Sequence, residues 1–133
     1  MMNEEKFWGI IGSSRVSERE PNEQLKESLK DLDEEDIKAF SEYFDKVYDE
    51  LKAGPVGHAL HYRLGGYSDD ELRVYLHWII GSGRGFYKKI TENPKELVNI
   101  SFPEEDFLWE NYEGFGDISD LTDTDEKLDF YLK

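Results

Sequence analysis

Three histidines and one arginine form the main candidate for chemistry in this sequence. His58 and His61 are three residues apart, so on a helix they share one face, and His77 could approach from a neighbouring helix. Neutral imidazoles at this spacing can bind zinc or nickel. Together with Arg84 they define a candidate pocket within residues 54–90.

A metal site in this stretch needs a carboxylate ligand in addition to the histidines. Asp69 and Asp70 could supply one, but their position just after Ser68 suits them to the start of a helix. The chain has no cysteine, which excludes disulfides and Cys-based zinc or redox sites. We therefore predict no cofactor and no required metal, and the histidines can equally be core or solvated residues.

The run Gly81-Ser82-Gly83-Arg84-Gly85 is similar to a phosphate-binding loop. Such loops follow a strand and place backbone amides at the next helix start, whereas here a helix precedes the glycines and the usual lysine is missing. The run is better explained as a helix break or a close packing contact. Arg84 is then expected to pair with a carboxylate of the same chain.

The remaining sequence offers few catalytic or ion-binding patterns. A group of C-terminal aspartates suggests calcium, but no register supplies both the glycine and the distal glutamate of a calcium loop. The group comprises Asp117, Asp120, Asp123, Asp125 and Asp129. We find no nucleophile elbow, no Ser/His/Asp arrangement and no HExxH motif. The sequence therefore predicts no catalytic residues.

The charge is strongly negative and unevenly distributed. The formal net charge is −15, from 31 acidic and 16 basic residues. Residues 54–90 carry 3 acidic and 5 basic side chains, whereas residues 91–133 carry 13 acidic and 3 basic ones. A negative field repels nucleic acid and anionic membranes, so we expect neither as a partner. An acidic surface could instead recruit a basic protein, or it could simply be solvated.

Helical periodicity dominates the chain, and no segment alternates as a strand does. Asn3, Asp33 and Ser68 suit helix N-caps, and Pro21 suits a first helical position. The first helix is expected to weaken or end at Gly12. A helix with an apolar stripe is predicted after each of these starts. The helix that carries Trp78 is apolar around most of its circumference, so we place it at the centre of the fold.

Residues 101–133 form a distinct acidic arm that contains aromatic side chains. Between residues 101 and 129 there are 11 acidic side chains and one basic side chain, interleaved with Phe, Trp and Tyr. Because aromatic residues bury much area when they dock, we expect a loop-rich arm laid on the core. The predicted protein-binding residues are Glu104, Glu105, Asp106, Trp109 and Tyr112.

Residues 65–97 carry a distinctive motif. Gly65-Gly66-x-Ser68-Asp69-Asp70 precedes an aromatic-rich helix with Trp78-Ile79-Ile80, and Gly83-Arg84, Phe86 and Pro94 follow. This pattern resembles the bacterial family catalogued as domain of unknown function 4240, over about residues 4–100. The resemblance implies a small helical fold and no particular chemistry. Family members often have tryptophan before the Gly-Gly, where this chain has His58 and His61.

The sequence thus predicts an all-α, compact multi-helix single domain, with a helical part over 1–100 and the acidic arm over 101–133. We expect a cytoplasmic protein, since the first residues lack the pattern of a signal peptide. The leading hypothesis is a non-catalytic binding protein, resembling an immunity protein or antitoxin, that inhibits a basic protein effector. The alternatives are a small-molecule or metal-dependent enzyme that uses the candidate His/Arg pocket in residues 54–90 and a scaffold subunit without a site.

Overall fold

The computed structural model describes residues 2–15, 21–113 and 115, and it shows eight helices and no strand within that part of the chain. The predicted all-α fold is therefore confirmed. The helices are α1 (Glu4–Arg15), α2 (Pro21–Lys30), α3 (Glu34–Ala53), α4 (Pro55–Leu64), α5 (Asp69–Gly81), α6 (Arg84–Glu92), α7 (Glu96–Asn99) and α8 (Glu105–Tyr112).

The predicted N-caps begin the helices as expected. The side chains of Asn3, Asp33 and Ser68 each accept a hydrogen bond from the backbone N–H three residues later, at 2.8, 2.8 and 3.2 Å. These bonds satisfy amides that the first helical turn leaves without a partner. At the other end of α4, Gly65 has a φ of 71°, the left-handed conformation that glycine adopts most readily.

The first helix continues past the glycine that was expected to end it. Helix α1 runs through Gly12 to Arg15. Phe7 and Ile11 are fully buried on its inner face, where α1 packs against α2 and α5. A glycine inside a helix costs only about 1 kcal/mol relative to alanine, and packing of this apolar face is sufficient to offset that cost.

Helix α5 lies at the centre of the fold, as its apolar circumference predicted. From Leu72 to Gly81 every residue except Arg73 is buried. Neighbouring helices α1, α3, α6 and α8 all pack against it. The core therefore surrounds α5, and any surface site must be built from the outer faces of the helices around it.

Arg63 connects α4 to α7 through the backbone. Its Nη1 donates to the carbonyl oxygens of Leu97, Val98 and Ile100, at 2.8, 3.1 and 2.8 Å. The guanidinium carbon lies 4.2 Å from the ring centroid of Phe102. A cation near a helix C-terminus satisfies carbonyls that have no intrahelical partner, and its contact with the aromatic ring adds to this.

Replacing Arg63 by methionine is expected to lower the free energy of unfolding by about 2 kcal/mol, because the stem remains while the hydrogen bonds to three carbonyls are lost. The matched control is Arg73→Met, which removes an exposed ion pair with Asp70 and is expected to cost less than about 1 kcal/mol. Urea titrations of both variants measure the difference. Equal losses would contradict the structural role of Arg63.

Candidate functional site

The two histidines of α4 lie on its exposed side. His58 and His61 are both exposed, and the His61 ring makes an edge contact with Tyr67 at 5.4 Å between centroids. Among the described residues, no group of three or more His, Asp or Glu side chains is arranged to hold a metal ion. Each exposed imidazole therefore faces solvent or a neighbouring ring.

His77 is buried in the core. It is 6% exposed, and its Nδ1–H donates to the carbonyl oxygen of Tyr112 at 3.0 Å. The rings of Phe44 and Tyr48 lie 5.5 and 5.4 Å away. This histidine joins α5 to α8 inside the core, so it does not share a pocket with the exposed histidines of α4.

Arg84 begins α6 and pairs with a carboxylate of the same chain, as predicted. Its Nη2 lies 2.8 Å from Oε1 of Glu4, which joins α6 to α1. The preceding Gly83 has a φ of 101°, so the backbone turns sharply between α5 and α6. The glycine run is therefore a helix break, and the four residues of the candidate pocket have separate surroundings.

Gly81 provides the close packing contact that the glycine run suggested. A Cβ at this position would lie 2.6 Å from Cε1 of Tyr112 and 3.1 Å from Cζ of Phe115. Tyr112 is 7% exposed and Phe115 is 1% exposed. Tyr112, a predicted protein-binding residue, thus belongs to the core in this structure.

The described part of the acidic arm is an ordered helix docked on the core. Leu108 is fully buried, and Nδ2 of Asn22 on α2 donates to the carbonyl oxygen of Glu113 at 2.9 Å. The acidic composition predicts loops here, but Leu108, Tyr112 and Phe115 recur at spacings of four and three, which is a helical signal. The high charge of the segment obscured it.

The outer side of α8 presents carboxylates around an exposed aromatic ring. Glu104, Glu105 and Asp106 are exposed, and Phe107 is 47% exposed. Glu110 follows Phe107 by three residues, so the two lie on one face of the helix, and Glu104 is the N-cap at which the helix begins. We call Glu104, Glu105, Asp106, Phe107 and Glu110 the α8 acidic surface.

Trp109 packs against the core and contacts the α8 acidic surface through Glu105. Its side chain is partly buried against the core, and its indole Nε1–H donates to Oε1 of Glu105 at 3.3 Å. That bond holds one carboxylate of the α8 acidic surface in place. Phe107, which was not among the predicted protein-binding residues, is the exposed aromatic side chain of the helix.

Carboxylates at the start of α5 adjoin the α8 acidic surface. Burial raises the pKa of Tyr75, and the nearby carboxylates of Glu105 and Glu71 raise that pKa further. Glu105 begins α8 and Glu71 lies in the first turn of α5, so the two helices bring their acidic ends to the same region. Glu71 therefore adds to the negative charge of α8 there, and the Arg63 guanidinium, which lowers the pKa of Tyr75, opposes it in part.

A family model described as a protein of unknown function (DUF4240) matches residues 2–121 of this chain. The chain belongs to the DUF4240 family. The match extends beyond residue 100, so the DUF4240 domain includes α8 as well as the seven helices before it. No curated protein and no solved structure matches the chain.

Two further observations complete the description of this DUF4240 domain. Within the part of the chain that the structure describes, no helix is both long and apolar enough to cross a membrane. The C-terminal aspartates considered for calcium, from Asp117 to Asp129, lie outside the described residues. The α8 acidic surface is therefore the candidate site that the described residues support best.

Proposed function

We propose that this protein is a non-catalytic binding protein that inhibits a basic protein effector, in the manner of an immunity protein or an antitoxin. The observation that carries the proposal is Phe107, a large aromatic side chain that is 47% exposed on the helix that also carries the exposed residues Asp106 and Glu110. Protein interfaces commonly combine a central aromatic contact with surrounding polar groups.

The charge of the chain supports a basic partner. Residues 104–113 contain five carboxylates and no basic residue, within a chain whose net charge is −15. Opposite charges accelerate encounter, and exposed charges act mainly on the association rate. An inhibitor that covers an active site needs no chemistry of its own, which suits a protein without a recognisable catalytic arrangement.

The docking of α8 also supports the proposal. Its inner side is fixed by Leu108 in the core and by the hydrogen bond from Asn22 to Glu113. A surface held in place before binding loses less conformational entropy when the partner arrives. The carboxylates therefore stand on a preorganised helix, a better basis for specific recognition than the loop that the sequence suggested.

The two alternative functions have less support. An enzyme using the candidate pocket would need its residues to converge, whereas His77 is buried and His58 and His61 are exposed on another helix. A scaffold subunit without a site would not require an exposed phenylalanine among carboxylates. Both alternatives make the same prediction for the experiment below, namely that no basic partner depends on α8.

Neutralising the carboxylates of α8 should slow association with the basic partner about tenfold at low salt. The variant is Glu104→Gln/Glu105→Gln/Asp106→Asn. The partner is first captured from a lysate of the source cell, and binding kinetics are then measured. Raising the salt concentration from about 50 to 500 mM should weaken wild-type binding more than binding of the variant, since screening removes what the variant already lacks.

The aromatic contact should affect the other rate constant. Phe107→Ala is expected to raise the dissociation rate about tenfold at every salt concentration, because it removes apolar contact and leaves the charge unchanged. The control for the carboxylate variant of α8 is Glu34→Gln/Glu35→Gln/Glu42→Gln, which removes an equal charge from exposed positions on α3. Failure to capture a basic protein, or an unchanged salt dependence in the α8 variant, would contradict the proposal.

A further inference from the structure

A small groove opens where α3 ends, α4 begins and α6 passes beside them. Its volume is about 160 Å³, and its apolar lining includes Leu51, Pro55 and Val56. Its polar lining consists of Glu50, Tyr87 and Thr91. An apolar groove with a few polar groups is the usual form of a ligand site, but this one is smaller than the roughly 300–1,000 Å³ that drug-sized ligands occupy.

The polar groups of the groove offer oxygen atoms and one negative charge. Glu50 is exposed, and within the described residues no ion pair involves its carboxylate. Burial raises the pKa of Tyr87, and the Glu50 carboxylate raises that pKa further, so the phenol lies within range of this charge. The hydroxyl of Thr91 donates to the carbonyl oxygen of Lys88 at 3.2 Å, which leaves its oxygen able to accept.

The helix ends at the groove do not cancel the negative charge of the Glu50 carboxylate. The C-terminal end of α3 favours cations, and the N-terminal end of α4 favours anions. The two ends meet at Gly54, so their partial charges largely offset each other. Pro55 at the first position of α4 has no N–H to offer an anion. Among the residues that the structure describes, no lysine or arginine lines the groove, so the Glu50 carboxylate sets the local potential.

The wall formed by α6 is already in place. Trp8, which is 8% exposed, packs against Tyr87 with 4.8 Å between ring centroids. This contact restricts the Tyr87 ring before any ligand arrives. A preformed groove needs little ordering on binding, which leaves more of the interaction energy for affinity.

We propose that this groove binds an alkylammonium or alkylguanidinium group, supplied by a free small amine or by a lysine or arginine side chain. The methylene stem lies against Leu51 and Val56, and the cationic tip meets the Glu50 carboxylate and the oxygens of Tyr87 and Thr91. Such side chains commonly bury their stems on apolar surface and keep their charged ends near polar groups. A cavity of roughly 150 Å³ holds a group as large as benzene, so a four-carbon stem fits.

The test uses three ligands that have an alkyl stem of three or four carbons and differ in charge. Butylguanidinium, butanol and butyrate are titrated separately into the full chain, and NMR shifts are followed for the methyl groups of Val56 and Thr91 and for the Tyr87 ring. Butylguanidinium is expected to bind saturably in the millimolar range, as suits so small a ligand, and more tightly than the other two. Equal binding of butanol, tighter binding of butyrate or no saturable shift would overturn the proposal.

A matched pair of variants tests the role of the carboxylate. Glu50→Gln should weaken butylguanidinium binding about fivefold, because it removes the charge and keeps the shape. Glu42→Gln removes an exposed charge from the same helix, two turns earlier, and should leave the affinity unchanged. Equal effects of the two variants would show that only the overall charge matters, which would overturn the site.

The source of the cation is distinguished by a second comparison. Butylguanidinium carries the guanidinium on a free stem, whereas N-acetylarginine methylamide presents it as a residue of a protein does, and each has one positive charge. Tighter binding of N-acetylarginine methylamide would assign the groove to a side chain of another protein, and tighter binding of butylguanidinium would assign it to a free small ligand. The α8 acidic surface is not involved, so this site can fail or stand independently of the proposed inhibitor function.

Discussion

Replacing Trp78 by alanine is expected to lower the free energy of unfolding by about 3–5 kcal/mol. Trp78 lies on the central helix and is 9% exposed. Its ring centroid is 5.2 Å from that of Phe86 and 5.3 Å from that of Phe102. The substitution therefore leaves a cavity bordered by α6 and by the segment before α8, in addition to removing buried apolar area.

Urea titration of the variant and the wild type measures this loss. Trp78→Phe should cost less, because it keeps part of the contact with both neighbouring rings. Tyr62→Ala serves as the control, since Tyr62 is 77% exposed on α4 and its removal is expected to change stability by less than about 0.5 kcal/mol. A loss below about 1 kcal/mol for Trp78→Ala would mean that the position of the central helix is wrong.

Gly57→Ala is expected to destabilise the protein by about 3 kcal/mol or more, although alanine is the better helix former by about 1 kcal/mol. A Cβ at Gly57 would overlap the backbone carbonyl oxygen of Lys52 and lie 3.0 Å from its carbonyl carbon. Backbone atoms cannot rotate away as a side chain can. The added methyl group must therefore push α4 away from the end of α3.

The matched control for this variant is Gly9→Ala. Gly9 lies inside α1, and a Cβ there would have no atom within 4 Å. The same substitution should therefore raise stability there by up to about 1 kcal/mol. Thermal and urea unfolding of the two variants should give changes of opposite sign. A stabilised Gly57→Ala would contradict the close approach of α3 and α4.

Features fixed by neighbouring residues could be predicted from the sequence. Asp33 and Ser68 begin helices because each side chain bonds to an amide three residues later, and that chemistry is local. Gly65 ends α4 in a left-handed conformation for an equally local reason. The central position of α5 followed from its apolar circumference, because a helix without a polar face must be covered on all sides.

Features set by distant residues could not be predicted in the same way. The close approach at Gly57 depends on the angle between α3 and α4, and a single glycine in the sequence does not indicate that angle. The three acceptors of Arg63 are 34 to 37 residues away along the chain. For α8, the acidic composition favoured a loop, whereas burial of Leu108 against the core stabilises a helix.

The candidate sites show the same division. Three of the four carboxylates of the α8 acidic surface, Glu104, Glu105 and Asp106, were predicted from composition, because charged residues remain exposed in most settings. Whether an aromatic residue points inward or outward depends on the angle at which the helix docks. Tyr112, which was predicted as a protein-binding residue, is buried, and Phe107, which was not among the predicted residues, is exposed. The groove beside Glu50 joins three helices, and no local motif marks it.

The hydrogen bond between Asn22 and Glu113 spans 91 residues, so the nascent chain cannot form it until most of the sequence has been synthesised. At roughly 5–20 residues per second, a ribosome needs about 5–20 s to travel from the first partner to the second. His77 and Gly81 are made late in that interval, and for its last 32 residues, about 2–6 s, they lack the helix that covers them in the folded protein. The nascent chain therefore exposes apolar surface of the kind that chaperones recognise until α8 has been synthesised.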